Sequence, residues 1–120
     1  MARILVADDE DSLREILARG LDAAGHEVVA VEDGVEALHE LKRGRFDLLL
    51  TDIVMPRLDG IALALKVGRD YPALEIILMT GYADQEQRAH NLEALVHEIV
   101  TKPFTLDEIR AVVARRIEAR

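Results

Sequence analysis

The chain has 120 residues, half of them hydrophobic and spread along its length, which is enough for one buried core and leaves no long polar tract to favour disorder. A formal net charge of -8, with two Phe, two Tyr and no Trp, argues against tight nucleic-acid binding by the chain itself, because phosphate repels an acidic surface and little remains for base stacking. Cysteine is absent, so disulfides and thiolate metal sites are excluded, as suits a cytoplasmic protein. No apolar run approaches the roughly 18 residues of a membrane helix, and the N-terminus lacks the pattern of a secretory signal, so no membrane association is expected.

In chain order, apolar runs alternate with helical patterns. Arg3–Ala7 is followed by Leu13, Ile16, Leu17 and Leu21 at helical spacing, with Gly25 as a stop. Glu27–Val31 precedes Val35, Leu38 and Leu41, ended by Gly44. Phe46–Thr51 precedes Ile61, Ala64, Leu65 and Gly68, which stop before Pro72. Leu74–Thr80 precedes Asp84–Glu93, a segment helical by propensity but with a thin apolar face of Ala89 and Leu92. Val96–Thr101 leads to the clearest helix, with Thr105 and Glu108 at capping-box spacing and Leu106, Ile109, Val113 and Ile117 on one face.

The five runs are β-branched and leucine-rich without strict alternation, as expected of strands covered on both faces in a parallel sheet. The chain thus reads as one (βα)₅ domain, residues 1–120, of the α/β class. Its flavodoxin-like, doubly wound parallel sheet has the expected strand order 2-1-3-4-5, with ligands at the carboxyl ends of the strands.

That order gathers polar residues at one edge. Asp8 and Asp9 follow the first strand, Asp52 the third, Thr80 ends the fourth, and Lys102 follows the fifth. Each alone has a plain explanation as a turn acid, a helix cap, a strand-end hydroxyl or a surface lysine. Their joint placement favours a site instead. Three clustered carboxylates repel one another, and a hard divalent cation such as Mg²⁺ relieves that repulsion while asking for few protein ligands. A carboxylate nucleophile, a metal, a lysine and a hydroxyl are the parts needed to accept and hold a phosphoryl group. His26, His39, His90 and His97 show no metal-ligand spacing, so cap or surface roles are expected of them.

Four blocks, taken together, resemble the response-regulator receiver domain of two-component signalling. They are Asp8-Asp9-Glu10, Leu48 to Pro56 with Asp59-Gly60, Thr80-Gly81, and Lys102-Pro103-Phe104. The resemblance implies that Asp52 is the phosphoacceptor. It implies that Mg²⁺ or Mn²⁺ is held by Asp9, Asp52 and the Val54 backbone carbonyl, with Asp8 acting directly or through water. Thr80 and Lys102 would bind the phosphoryl group, and the Lys102–Pro103 bond would be cis. The implied donor is a sensor histidine kinase or a phosphotransfer protein. The implied output is a protein-binding face made of Asp84–Glu93, the fifth strand and the last helix, read by a downstream protein target. Such a protein catalyses only its own phosphorylation and dephosphorylation, and binds no nucleic acid directly.

Three departures matter. Ile99 stands where receivers commonly carry Tyr or Phe, three residues before the lysine, so the aromatic switch is in doubt. Gly81 replaces the usual Ala, which loosens its loop, and Val54 and Tyr82 offer no strong polar group to orient an attacking water, so slow self-dephosphorylation is expected. Leu48–Gly60 with Ile61–Ala64 further resembles the small CpdR-type receivers that work with ATP-dependent proteases. The chain ends at Arg120, directly after the last helix, so a stand-alone regulator is expected. The alternative is the receiver fragment of a larger DNA-binding regulator or hybrid kinase. A metal-dependent phosphohydrolase is disfavoured because neither acidic block has the D-x-D form. A flavin carrier is disfavoured because no Thr/Ser/Gly-rich loop follows the first strand.

Overall fold

The structure, a computed structural model, describes residues 1–81 and 96–119. The expected Asp84–Glu93 helix, with its share of the switch face, and Tyr82 lie outside the described residues. The strands are β1 (Arg3–Ala7), β2 (Glu27–Val31), β3 (Leu48–Asp52), β4 (Glu75–Thr80) and β5 (Glu98–Thr101). Among the described residues the helices are α1 (Asp11–Ala23), α2 (Gly34–Arg43), α3 (Gly60–Asp70) and α4 (Leu106–Glu118). All strand pairs are parallel, in the order β2-β1-β3-β4-β5, as the alternating pattern predicts.

Both faces of the sheet are covered, which is why its strands read as unbroken apolar runs. On one face Leu5, Ala7, Leu49, Ile76 and Leu78 pack with Ala37 and Leu41 of α2 and with Leu63, Ala64 and Val67 of α3. On the other, Ile4, Val6, Leu48, Leu50, Ile77 and Met79 pack with Leu17 and Leu21 of α1 and with Ile109 and Val113 of α4. Successive side chains of β1, β3 and β4 therefore feed two cores in turn. Each fully buried Leu or Ile contributes roughly 1.5–3 kcal/mol.

β1 and β2 coincide with their apolar runs, whereas β3, β4 and β5 begin one or two residues into theirs. Phe46, Leu74 and Val96 precede the hydrogen-bonded ladder yet are buried in the same core as Leu49, Ile76 and Val67. Ile16, Val35 and Leu65, each on a predicted apolar stripe, are exposed. Their helices meet the sheet along a narrow line, so the flanks of the stripes reach water, and isolated exposed aliphatics are cheap.

Local signals account for the helix boundaries. Thr105 Oγ1 accepts from the Glu108 N–H at 3.1 Å, giving α4 its cap. Asp33 and Asp59 do the same for α2 and α3, accepting from the Glu36 and Ala62 N–H groups at 2.9 Å each. Gly25 stands in the left-handed region after α1, with φ of 98°. His26 and His97 are backbone acceptors, with Nδ1 taking the N–H of Ala2 at 3.2 Å and of Ile76 at 2.9 Å. Among the described residues, no helix is long and apolar enough to cross a membrane.

Candidate functional site

Strand register builds the site. Ala7 lies opposite Thr51, so Asp8, just past the end of β1, stands beside Asp52, the last residue of β3. Asp52 lies opposite Met79, which puts Thr80 one step further along β4. Thr80 in turn lies opposite Thr101, so Lys102 emerges next to it, and the Lys102 N–H donates to the Thr80 carbonyl at 2.7 Å. Residues from four strand ends thus share a cleft of about 450 Å³, lined by Asp9, Glu10, Asp52, Val54, Gly81, Lys102 and Pro103. A larger cavity, about 640 Å³, lies at the opposite edge of the sheet among Leu41, Phe46, Tyr71 and Leu74. It lacks converging acids, so the chemistry belongs to the smaller cleft.

Asp8, Asp9 and Asp52 can each present an oxygen within 4.8 Å of the others. Asp8 is fully buried, Asp52 nearly so and Asp9 exposed. Lys102 Nζ stands 3.3 Å from Asp52 Oδ1 and 3.8 Å from Asp8 Oδ2. One oxygen of Asp8 accepts from the Glu10 N–H at 2.9 Å, while Oδ2 is buried and lacks a hydrogen bond. Burial, together with the negative charges of Asp52 and Asp9, pushes the Asp8 carboxyl up to about 6 against the opposing pull of the Glu10 N–H and Lys102. Burial also raises Asp52 above the ordinary carboxylate range, partly offset by Lys102. One lysine does not satisfy three acids.

The donor set fits a hard divalent cation. Its oxygens are carboxylates, they converge, and one is a buried acceptor with no hydrogen bond, which is costly unless a cation or proton meets it. Thr80 is fully buried at the end of β4. The Lys102–Pro103 peptide bond is cis. Val54 is exposed beside the cleft, between buried Ile53 and Met55. Ile99 is half-buried, opposite Leu78.

Comparison with known proteins decides the family. The response regulator receiver domain family matches residues 4–114. The chain belongs to that family. This receiver is similar to the response regulator receiver protein CpdR of Brucella abortus, at 37% identity over 91% of each chain. It is similar to the DNA-binding transcriptional regulator NtrC of Escherichia coli, at 36% identity over 95% of this chain, but spans only 24% of that protein's length. A solved structure of the response regulator TrrA of Thermotoga maritima, in complex with Mg²⁺-BeF, is 36% identical with a TM-score of 0.86, covering 96% of this chain and 98% of that one. The chain is therefore the receiver domain of a two-component response regulator, with the five-stranded fold of that family.

Two glycines of the receiver motif behave oppositely. A Cβ at Gly60 would run into the carbonyl of Asp52, and would stand 2.9 Å from Ile53 Cα. Both are backbone, so neither yields cheaply. Gly60→Ala should lower stability by about 2–3 kcal/mol, read as the urea midpoint. Among the described residues, the one atom a Cβ at Gly81 would approach is Lys102 Cδ, at 4.0 Å. Gly81→Ala should be neutral or stabilise by up to about 1 kcal/mol, by restricting the unfolded chain.

Two residues of this neighbourhood went unnoticed in the sequence, Asp33 and Arg57. Asp33 is fully buried and pairs with the Arg57 guanidinium across the loop that leaves the site. Its spacing to Glu36 is a capping signal that could have revealed the acid, but no local pattern links it to Arg57, 24 positions away.

Proposed function

We propose that Asp52 is the phosphoacceptor of a signalling switch. One observation carries this reading: three carboxylates and a lysine from three strand ends, those of β1, β3 and β5, converge in one cleft, leaving the buried Asp8 Oδ2 without a hydrogen bond. Asp9, Asp52 and the Val54 carbonyl hold Mg²⁺ or Mn²⁺, with Asp8 contributing directly or through water. When bound, the cation neutralises the acids and draws charge from the phosphoryl oxygens.

The chain's own residues do the rest. The Asp52 carboxylate, on a rigid strand end, forms an O–P bond as the donor's P–N bond breaks. Lys102 then leaves the carboxylate for a phosphoryl oxygen, a mobile point charge moving to the new anion. The Thr80 hydroxyl turns toward that anion. A charge-assisted hydrogen bond of roughly 1.5–3 kcal/mol biases the outer face about ten- to a hundredfold. Ile99, aliphatic where an aromatic is common, means that this bias is read without an aromatic rotamer. The TrrA complex with Mg²⁺-BeF supports the choice of metal.

The donor is a sensor histidine kinase or phosphotransfer protein, and the output is contact with a protein in the cytoplasm, not turnover of a substrate. Residues 1–120 act as a single receiver domain. The match to CpdR over 91% of each chain supports a stand-alone regulator. The CpdR-type resemblance of Leu48–Gly60 and Ile61–Ala64 makes an ATP-dependent protease the proposed class of downstream partner. The likeness to one quarter of NtrC supports the second reading, a receiver joined to a DNA-binding output.

The test is intact mass after incubation with Mg²⁺ and acetyl phosphate. Wild type should gain one phosphoryl group, and Asp52→Ala none. Equal addition to both would remove Asp52 from the role. With Val54 at the cleft mouth, Val54→Asn should speed loss of that group several-fold, followed by the same mass measurement. An unchanged rate would detach Val54 from the path of the attacking water.

A further inference from the structure

The loop from Ile53 to Asp59 joins β3 to α3 and carries the Val54 carbonyl. It is held at several points. The Gly60 N–H donates to the Ile53 carbonyl at 2.8 Å, closing the loop on itself. The Leu58 N–H donates to the Pro56 carbonyl at 2.8 Å, making a three-residue turn about Arg57, whose φ is 68°. Gly34, the first residue of α2, lies so near that a Cβ would stand 2.5 Å from the Leu58 carbonyl oxygen. The Arg57 guanidinium binds Asp33, the N-cap of α2.

Arg57 is an unexpected residue there. The left-handed region costs an L residue roughly 1–2 kcal/mol that glycine avoids. What an arginine adds is its side chain. Asp33 is fully buried, and burial alone would raise its carboxyl, yet the Glu36 N–H and Arg57 hold it below the ordinary range. Solvent screens the guanidinium, whose side chain is 61% exposed, but the carboxylate it meets is fully buried and without it would keep the Glu36 N–H alone among these two partners. The pair therefore ties the turn to a rigid helix end, three residues from Val54.

We propose that Asp33 and Arg57 form a positioning pair that holds loop 53–59, and with it the Val54 carbonyl, in metal-binding geometry. This rests on the reading above that Val54 and the acids hold the cation. Neither residue touches the metal; they act through the loop, so α2 is part of the site's support. The competing explanation is an ion pair that only stabilises the start of α2.

Mn²⁺ binding by the whole chain, followed as loss of the free-ion electron paramagnetic resonance signal, separates the two. Arg57→Gly keeps the turn favourable and removes the guanidinium, while Asp33→Asn keeps a cap acceptor and removes the charge. Each should weaken Mn²⁺ binding about tenfold, the usual scale for residues that orient a metal ligand. The double variant should be no weaker than the worse single, and Arg57→Lys should recover part of the loss. At saturating Mn²⁺ the rate of phosphorylation by acetyl phosphate should return to that of wild type. Wild-type affinity in Arg57→Gly and Asp33→Asn, whatever happens to their urea midpoints in EDTA, overturns the proposal. So does a rate that stays low at saturating Mn²⁺. Asp9→Asn serves as the control: if it binds Mn²⁺ as wild type does, the carboxylate site itself fails, whereas if only it loses binding, the positioning pair alone fails.

Discussion

We expect Lys102→Ala to accept a phosphoryl group from acetyl phosphate about a hundredfold more slowly than wild type at saturating Mg²⁺. Lys102 Nζ is 3.3 Å from Asp52 Oδ1, and among the described residues lining the cleft it is the cation that can follow the charge from carboxylate to phosphoryl oxygen. The substitution has a second consequence with the opposite sign. Lys102 competes with a metal for the same oxygens, so its removal should tighten Mn²⁺ binding while slowing the chemistry. Lys102→Arg should keep metal-free stability near wild type but recover only part of the rate, because a planar fork does not replace a compact ammonium. Rates from intact mass and affinity from a metal titration decide this together. A Lys102→Ala protein phosphorylated within threefold of wild type would remove the lysine from the reaction.

The second large effect concerns stability. Lifting Asp8 from an ordinary 3.8 to about 6 means that its ionised form costs the metal-free fold about 3 kcal/mol at neutral pH. The sign follows from linkage. The folded state holds this proton more tightly than the unfolded chain, so the cost is absent below 3.8, grows as pH rises, and is complete above about 6. Asp8→Asn, measured in EDTA at pH 7.5, should therefore raise stability by about 3 kcal/mol, or roughly 10 °C in Tm. The amide can still accept from the Glu10 N–H, as Asp8 does at 2.9 Å. The gain should shrink as pH falls toward 4. His26 acts oppositely, since burial and the nearby N-terminal charge hold its imidazole below 6.5 while it accepts from Ala2, and its protonation weakens the fold. The Asp8 effect is thus the difference between wild type and variant at each pH. Saturating Mg²⁺ should stabilise wild type more than Asp8→Asn. Equal stability of the two proteins in EDTA at pH 7.5 would show that the acids do not strain the fold.

Both effects express one conflict: the site stores like charges that the fold would be more stable without. Natural proteins accept such costs at functional sites, where sequence rules of stability give way to chemistry.

Much of this was legible in the residues alone. Alternating apolar runs and helical stripes specify a parallel sheet because each strand must be covered on both faces, and for five strands with right-handed crossovers the order 2-1-3-4-5 is the commonest solution. The positions of Asp8, Asp9, Asp52, Thr80 and Lys102 could be read for the same reason, since each ends or follows a strand and strand ends share an edge. Tertiary structure decided what depends on distance and burial. It set which oxygen of Asp8 lies buried without a hydrogen bond, how near Lys102 stands to Asp52, and why Gly60 has no room for a side chain. It also brought Arg57 to Asp33. Periodicity reports which face a residue occupies, but a pair joined across a loop leaves no periodic trace, because its geometry exists only once β3, α2 and α3 have packed.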